Sequence, residues 1–279
     1  MFEDKKTLIM GILNVTPDSF SDGGKWNRAD EAKSRVEEMI AAGADIIDIG
    51  AESTRPGFTA ISADEEIERL EPILKAIADI CSVPISIDTY KAKTAEAAIN
   101  LGASILNDIH GLQYEAEPLE MARVAAKYDM PIVVMHNRTN SEFGIRNAEF
   151  GMRNSESIIN EIKKYFKRSL EIAAEVNLNR NNIIFDPGIG FGKTQEENLE
   201  ILRKLEELKI IDDVEYPLLL GVSRKSIIGH YTGLPVDKRD EATGALCIIG
   251  ISKGVNIVRV HNVEMIAKMC KMTDIILKN

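Results

Sequence analysis

Long apolar runs, paired cysteines and an excess of positive charge are all missing from this chain, and each absence removes a class of function. No apolar run approaches the roughly 20 residues needed to cross a bilayer, so no membrane span is expected. The first residues, MFEDKKTLIMGILN, carry acids and lack a small-residue cleavage site, which argues against a secretory signal. Cys81, Cys247 and Cys270 are odd in number and far apart. They form no metal-ligand spacing and suit buried positions in a cytoplasmic protein. A formal net charge of −10 argues against a general nucleic-acid binder. An acidic chain that binds an anion must gather its cations locally. H-E-x-x-H, an EF-hand loop and G-x-S-x-G are absent too, so neither a dedicated metal cage nor a hydrolase nucleophile is expected.

What is present is ordinary in bulk and specific in pattern. The 279 residues are 44% hydrophobic and 28% charged, as in many globular proteins. Short β-branched runs fall near 7–13, 45–50, 83–88, 104–107, 131–135, 182–186, 216–221 and 256–260. Amphipathic stretches lie between them, such as Ile67, Leu70, Leu74 and Ile77 after a Ser62–Glu65 capping box. Pro72 inside that stretch predicts a kink or break. Eight strand–helix units predict a single (β/α)8 TIM barrel of the α/β class, one domain over 1–279. A doubly wound sheet is the competing architecture, but the first turn has no G-x-G-x-x-G. The longest loops are expected at 14–28, 51–61 and 136–152.

Polar residues stand where the apolar strands stop. The ends read Leu13-Asn14, Ile87-Asp88, Leu106-Asn107, Met135-His136, Phe185-Asp186 and Arg259-Val260-His261. In a barrel these carboxyl ends converge on one mouth. Lys225, Arg259 and His261 follow strands seven and eight, the usual place for a phosphate, and Arg55 could add a cation. Arg224 is read as a surface ion pair. Asp88 and Asp186 would face inward, where acids need partners: a heterocycle's N–H groups, or Lys225 and Arg259 while the site is empty. Asn107 offers a donor and an acceptor. Asp48, in mid-strand, is read as structural. Mg²⁺ carried by a ligand's phosphates needs only one or two protein oxygens, and Asn14 could supply one.

Residues 186–194, DPGIGFGKT, end like a nucleotide-binding loop. That motif needs a glycine five positions before Gly192, and the residue there is Pro187. Loop length sets how many backbone N–H groups wrap a phosphate, so the shortened loop argues against an ATPase. Thr194 to Glu197 form a capping box, which explains the threonine as a helix start.

Seven blocks together resemble dihydropteroate synthase. They are MGILNVTPDSFSDGG (10–24), GADIIDIGAESTRPG (43–57), ISIDTYK (85–91), ASILNDIHG (103–111), FDPGIGFGKT (185–194), LGVSRKSIIG (220–229) and NIVRVHNV (256–263). They occur in that family's order and span nearly the whole chain. The resemblance implies a barrel that joins 6-hydroxymethyl-7,8-dihydropterin diphosphate to 4-aminobenzoate and releases diphosphate. It implies that Asp88, Asn107, Asp186 and Lys225 hold the pterin, with Met135 and Phe191 lining the slot. Asn14, Arg259 and His261 would take the diphosphate with Mg²⁺. Thr54, Arg55 and Pro56, with Phe20, Asp22 and Ser226, would frame the aminobenzoate, and Asp22 would stabilise positive charge on the pterin methylene. Asp22, Lys225, Arg259 and His261 are the implied catalytic set. The family also implies a homodimer. Ala51 stands where glycine is usual, and Asn262 stands where aspartate is usual, which bears on how His261 is oriented. Two rivals share parts of this pattern: a barrel passing a methyl group from a pterin to a cobalamin protein, and a non-catalytic pterin or phosphate binder.

Overall fold

The computed structural model describes residues 6–16, 25–52, 60–138 and 157–277. Eight parallel strands form one sheet. They are β1 (Leu8–Asn14), β2 (Ile46–Gly50), β3 (Ile85–Asp88), β4 (Ile105–Asp108), β5 (Ile132–Met135), β6 (Ile183–Asp186), β7 (Leu219–Leu220) and β8 (Ile257–Val260). Neighbours run β6-β5-β4-β3-β2-β1-β8-β7, and a parallel bridge between Phe185 and Leu218 brings β7 back against β6. The sheet thereby closes into the expected barrel. Around it lie α1 (Lys25–Ala41), α2 (Ala63–Ile77), α3 (Ala92–Asn100), α4 (Glu120–Lys127), α5 (Ile158–Glu175), α6 (Gln195–Arg203), α7 (Ser226–Thr232), α8 (Asp240–Ser252) and α9 (Val263–Leu277). No described helix is long and apolar enough to cross a membrane.

Strand alternation sorts the core into two sets. Ile47, Ile49, Ile85, Ile87, Leu106, Ile132, Val134, Ile183 and Phe185 face the helices. Met10, Ile46, Ile105, Val133, Ile184, Leu219 and Ile257 form a separate cluster inside the barrel. Side chains on one strand face repeat every two residues. Two steps beyond the inner apolar layer stand Asp48, Asn107, Met135, Asp186 and Arg259, with Asp88 two beyond Ser86. The fold therefore plugs the barrel with hydrocarbon and places polar groups directly above the plug.

Two stretches that contain a proline depart from the sequence reading. The α2 helix runs unbroken through Pro72, so no break occurs there. Its buried face, Glu66, Leu70, Ile73, Leu74 and Ile77, holds the helix where propensity alone would end it. By contrast, β7 spans only Leu219–Leu220 rather than 216–221. Pro217 has no N–H for the ladder, and its carbonyl serves Phe185 instead, at 2.9 Å. Thr194 caps α6 as expected: its hydroxyl accepts from the Glu197 N–H at 3.2 Å, and the Glu197 carboxylate accepts from the Thr194 N–H at 2.7 Å.

Candidate active site

Arg259 is the hub on one side of the mouth. Its Nε donates to Asp48 at 2.6 Å and its Nη2 to Asp88 at 2.7 Å. The same Asp48 oxygen accepts from the Asn107 amide at 3.1 Å. Asp48 is 0% exposed; Arg259 and Asn107 both meet its Oδ2, while its buried Oδ1 has no hydrogen-bond partner among the described residues. Asp88 too is left with one buried oxygen, Oδ1, that has no partner among the described residues. Burial pushes the Asp88 carboxyl up to about 7, against the pull of Arg259.

Asp186 and Lys225 form the other side. Asp186 Oδ1 accepts from the Gly188 N–H at 2.7 Å, and burial raises its pKa while Lys225 opposes the rise. Burial lowers the Lys225 ammonium to about 8, against the attraction of Asp186. Lys225 donates to the Ile189 carbonyl and lies 4.6 Å from the centre of the Phe191 ring. A Cβ on Gly221 would lie 3.7 Å from Asp186 Oδ2 and 3.9 Å from Lys225 Nζ, so a bare backbone floors the space between them. Phe191 and Tyr114 pack on Met135, Tyr90 and Ile109, an apolar wall beside the charges. An apolar wall with acids and an ammonium at its edge suits a polar heteroaromatic ring.

Ser223 orients His261. Its hydroxyl lies 2.9 Å from the ring Nδ1 and also accepts the His261 N–H at 3.2 Å. Asn262 caps α9, accepting from Met265 N–H and donating to Asp240. Arg224 pairs with Asp240 through two bonds of 2.7 and 2.8 Å, the surface pairing expected of it. Asn14 ends β1, half-buried and in register with Gly50. Ser226 is exposed at the start of α7. Phe20, Asp22, Thr54, Arg55 and Pro56 lie outside the described residues, as do most of the three long loops. His110 and His136 are buried, and burial depresses them to about 4 and about 3, so both rings are neutral near pH 7.

Three features escaped the sequence reading. Asp48 is structural, as expected, but what it supports is Arg259 and Asn107; its inward face was readable from Ile46 two residues before it. Ser223 sits 38 positions from its histidine and gives no local signal. Lys91 is buried between Glu52 and Glu66, donating to both, while Tyr90 donates to Glu52 and Thr94 to Glu66. That cluster ties the loop after β3 to α2 and to the residue that follows Ala51.

Comparison with known proteins identifies the family. The model of the family described as "Pterin binding enzyme" matches residues 10–261. A dihydropteroate synthase of Clostridium beijerinckii is 50% identical over 275 residues, 98% of this chain and 96% of that protein. The crystal structure of a Clostridium difficile dihydropteroate synthase in the presence of pteroic acid superposes with a TM-score of 0.90 at 45% identity, covering 100% of both chains. A Xanthomonas albilineans dihydropteroate synthase with 4-aminobenzoic acid gives a TM-score of 0.86 at 29% identity, covering 98% of this chain and 94% of that one. In sequence over nearly its whole length, and in fold, this chain belongs to the dihydropteroate synthases of the pterin-binding enzyme family.

Proposed function

We propose that the chain condenses 6-hydroxymethyl-7,8-dihydropterin diphosphate with 4-aminobenzoate, giving 7,8-dihydropteroate and diphosphate in folate biosynthesis. The observation that carries this reading is the pairing at one mouth of inward acids, Asp88 and Asp186, with Arg259 and Lys225. The acids and Asn107 take the N–H edge of the pterin, Lys225 takes its ring oxygen and N5, and Met135 and Phe191 cover its faces. The Arg259 guanidinium and His261 hold the diphosphate. Thr54, Arg55, Pro56, Phe20 and Ser226 frame the aminobenzoate.

The chemistry asks for charge stabilisation rather than a nucleophilic side chain. The bond from the methylene carbon to the diphosphate oxygen breaks, and its electron pair leaves with diphosphate. The aryl amine attacks the methylene, forms the carbon–nitrogen bond and then loses a proton. Arg259 and His261 counter the negative charge that grows on the leaving group, and Asp22 counters the positive charge on the methylene. Exclusion of water protects that carbon from hydrolysis.

Mg²⁺ fits this site as an ion carried chiefly by the diphosphate. Asn14 offers one amide oxygen at the mouth, and no group of three or more His, Cys, Asp or Glu that could hold a metal exists among the described residues. A bound Mg²⁺ would neutralise leaving-group charge. We further propose a single barrel domain over 1–279, a cytoplasmic setting and a homodimer.

The test is coupled release. Protein, pterin diphosphate and Mg²⁺ are mixed with and without 4-aminobenzoate, and diphosphate is measured. Release only with the amine supports the synthase. Silence in both arms removes it and returns the methyl-transfer barrel or a simple binder.

A further inference from the structure

The lysine of Gly192-Lys193-Thr194 has a use unrelated to nucleotides. Its side chain folds back into its own loop. Nζ lies 2.7 Å from the Gly188 carbonyl, 3.1 Å from that of His136 and 3.2 Å from that of Phe191. An ammonium has three N–H donors, and here three backbone acceptors meet them. One of these carbonyls belongs to the residue after β5, and two belong to the loop after β6. One half-buried side chain thus clamps adjacent strand exits together, and it does so although burial, Arg138 and Lys225 push its pKa well below the ordinary lysine value.

Asn198 continues the clamp from α6. It is 1% exposed. Its Oδ1 accepts from the Gly190 N–H at 2.8 Å, and its Nδ2 donates to the Thr194 carbonyl at 2.7 Å. The loop makes its tight path through Gly188 and Gly190, at φ +64° and +84°. A Cβ at Gly188 would stand 2.0 Å from the His136 carbonyl oxygen, so the two strand exits touch there. The loop delivers two groups to Lys225: the Ile189 carbonyl that accepts from its ammonium, and the Phe191 ring beside it. A lysine has a long, flexible stem, and its position is set by what holds its end.

We infer that Lys193 is a positioning residue for pterin recognition: it fixes the Ile189 carbonyl and the Phe191 ring, and through them Lys225, and it binds no phosphate itself. This rests on the assignment of Lys225, Asp186 and Phe191 to the pterin. The three carbonyls already occupy the donors a phosphate would need.

Lys193→Met tests it, because the change keeps the length and apolar stem and removes all three donors. Binding of 6-hydroxymethylpterin, which has no diphosphate, is measured by calorimetry, and steady-state kinetics are run with each substrate varied. Pterin binding is expected to weaken about tenfold or more, with kcat/KM for pterin diphosphate falling in parallel. The KM for 4-aminobenzoate is expected to stay within about twofold. Unchanged binding of 6-hydroxymethylpterin with weakened pterin diphosphate would overturn the inference in favour of phosphate binding. Equal losses for both substrates would overturn it in favour of general scaffolding. Should Lys193→Met not fold, Asn198→Ala releases the same loop from the other side and must show the same pterin-selective loss; normal pterin affinity there overturns the inference. A wild type that fails to bind 6-hydroxymethylpterin would instead remove the site assignment beneath it.

Discussion

At the scale of single residues, the site is tuned by burial against pairing. Asp88 sits near 7 and Lys225 near 8, because desolvation opposes charge in both while Arg259 and Asp186 restore part of it. Asp88 must be ionised to accept from a pterin N–H, and Lys225 must be protonated to donate. We therefore expect kcat/KM for pterin diphosphate to rise through about 7 and fall through about 8, the two limbs belonging to the cluster rather than to isolated groups. Lys225→Arg should lower the maximum yet abolish the alkaline fall, since guanidinium stays charged. Persistence of that fall would assign it elsewhere. Arg259 carries a second prediction. Arg259→Ala leaves Asp48 and Asp88 buried without their cation. Activity should drop at least about a hundredfold. The folded carboxyl pKa lies above the ordinary value of 3.8, so the folded state holds the extra proton and stability falls as pH rises from about 4 through about 7. Melting curves should show a larger deficit for the variant at pH 8 than at pH 5. Adding Asp48→Asn should restore much of the stability and none of the activity.

At the scale of elements, strand ends were legible and their supports were not. Alternation alone puts Asp88, Asn107, Asp186 and Arg259 on the inner face, because each stands two residues beyond an inward neighbour. The bond from Arg259 to Asp48 spans 211 positions and depends on strand order, which periodicity does not encode. Pro72 misled for a related reason: local chemistry predicted a break, and packing of the α2 face prevailed. The loop after β6 offers a comparison of space with backbone strain. Gly188 and Gly233 both have left-handed φ, +64° and +72°. A Cβ at Gly188 meets the His136 carbonyl at 2.0 Å, whereas one at Gly233 meets nothing within 4 Å. Gly233→Ala should therefore cost about 1 kcal/mol in chemical denaturation and leave pterin binding intact. Gly188→Ala should cost more than twice that and weaken pterin binding, because the loop must move. Equal costs at the two sites would mean that the close approach between strand exits carries no weight.

At the scale of the whole molecule, the polar mouth and the exposed apolar side chains of the last two helices lie on different elements. The described mouth residues gather toward the carboxyl ends of strands, where an acidic chain places Arg259 and Lys225 beside Asp88 and Asp186. The outer faces of α8 and α9 carry large apolar side chains among charged ones such as Glu264, Lys268 and Lys271. Ile249, Met272, Ile276 and Leu277 are 44%, 57%, 67% and 50% exposed, while Cys247, Ile266 and Cys270 on the same helices are buried. Several large apolar side chains left in water on neighbouring helices would suit association with another chain. A second copy using the same patch would satisfy two-fold symmetry, in which each residue meets the partner's equivalent surface. We expect sedimentation equilibrium to return a dimer for the wild type. Met272→Glu combined with Ile276→Glu would bury two like charges against their copies, and should shift the chain to monomer at micromolar concentration. Because neither residue belongs to the mouth, kcat/KM should remain within about twofold under conditions where the monomer is folded. A variant that stays dimeric would move the interface off α9. A wild type that sediments as a monomer would remove the homodimer altogether.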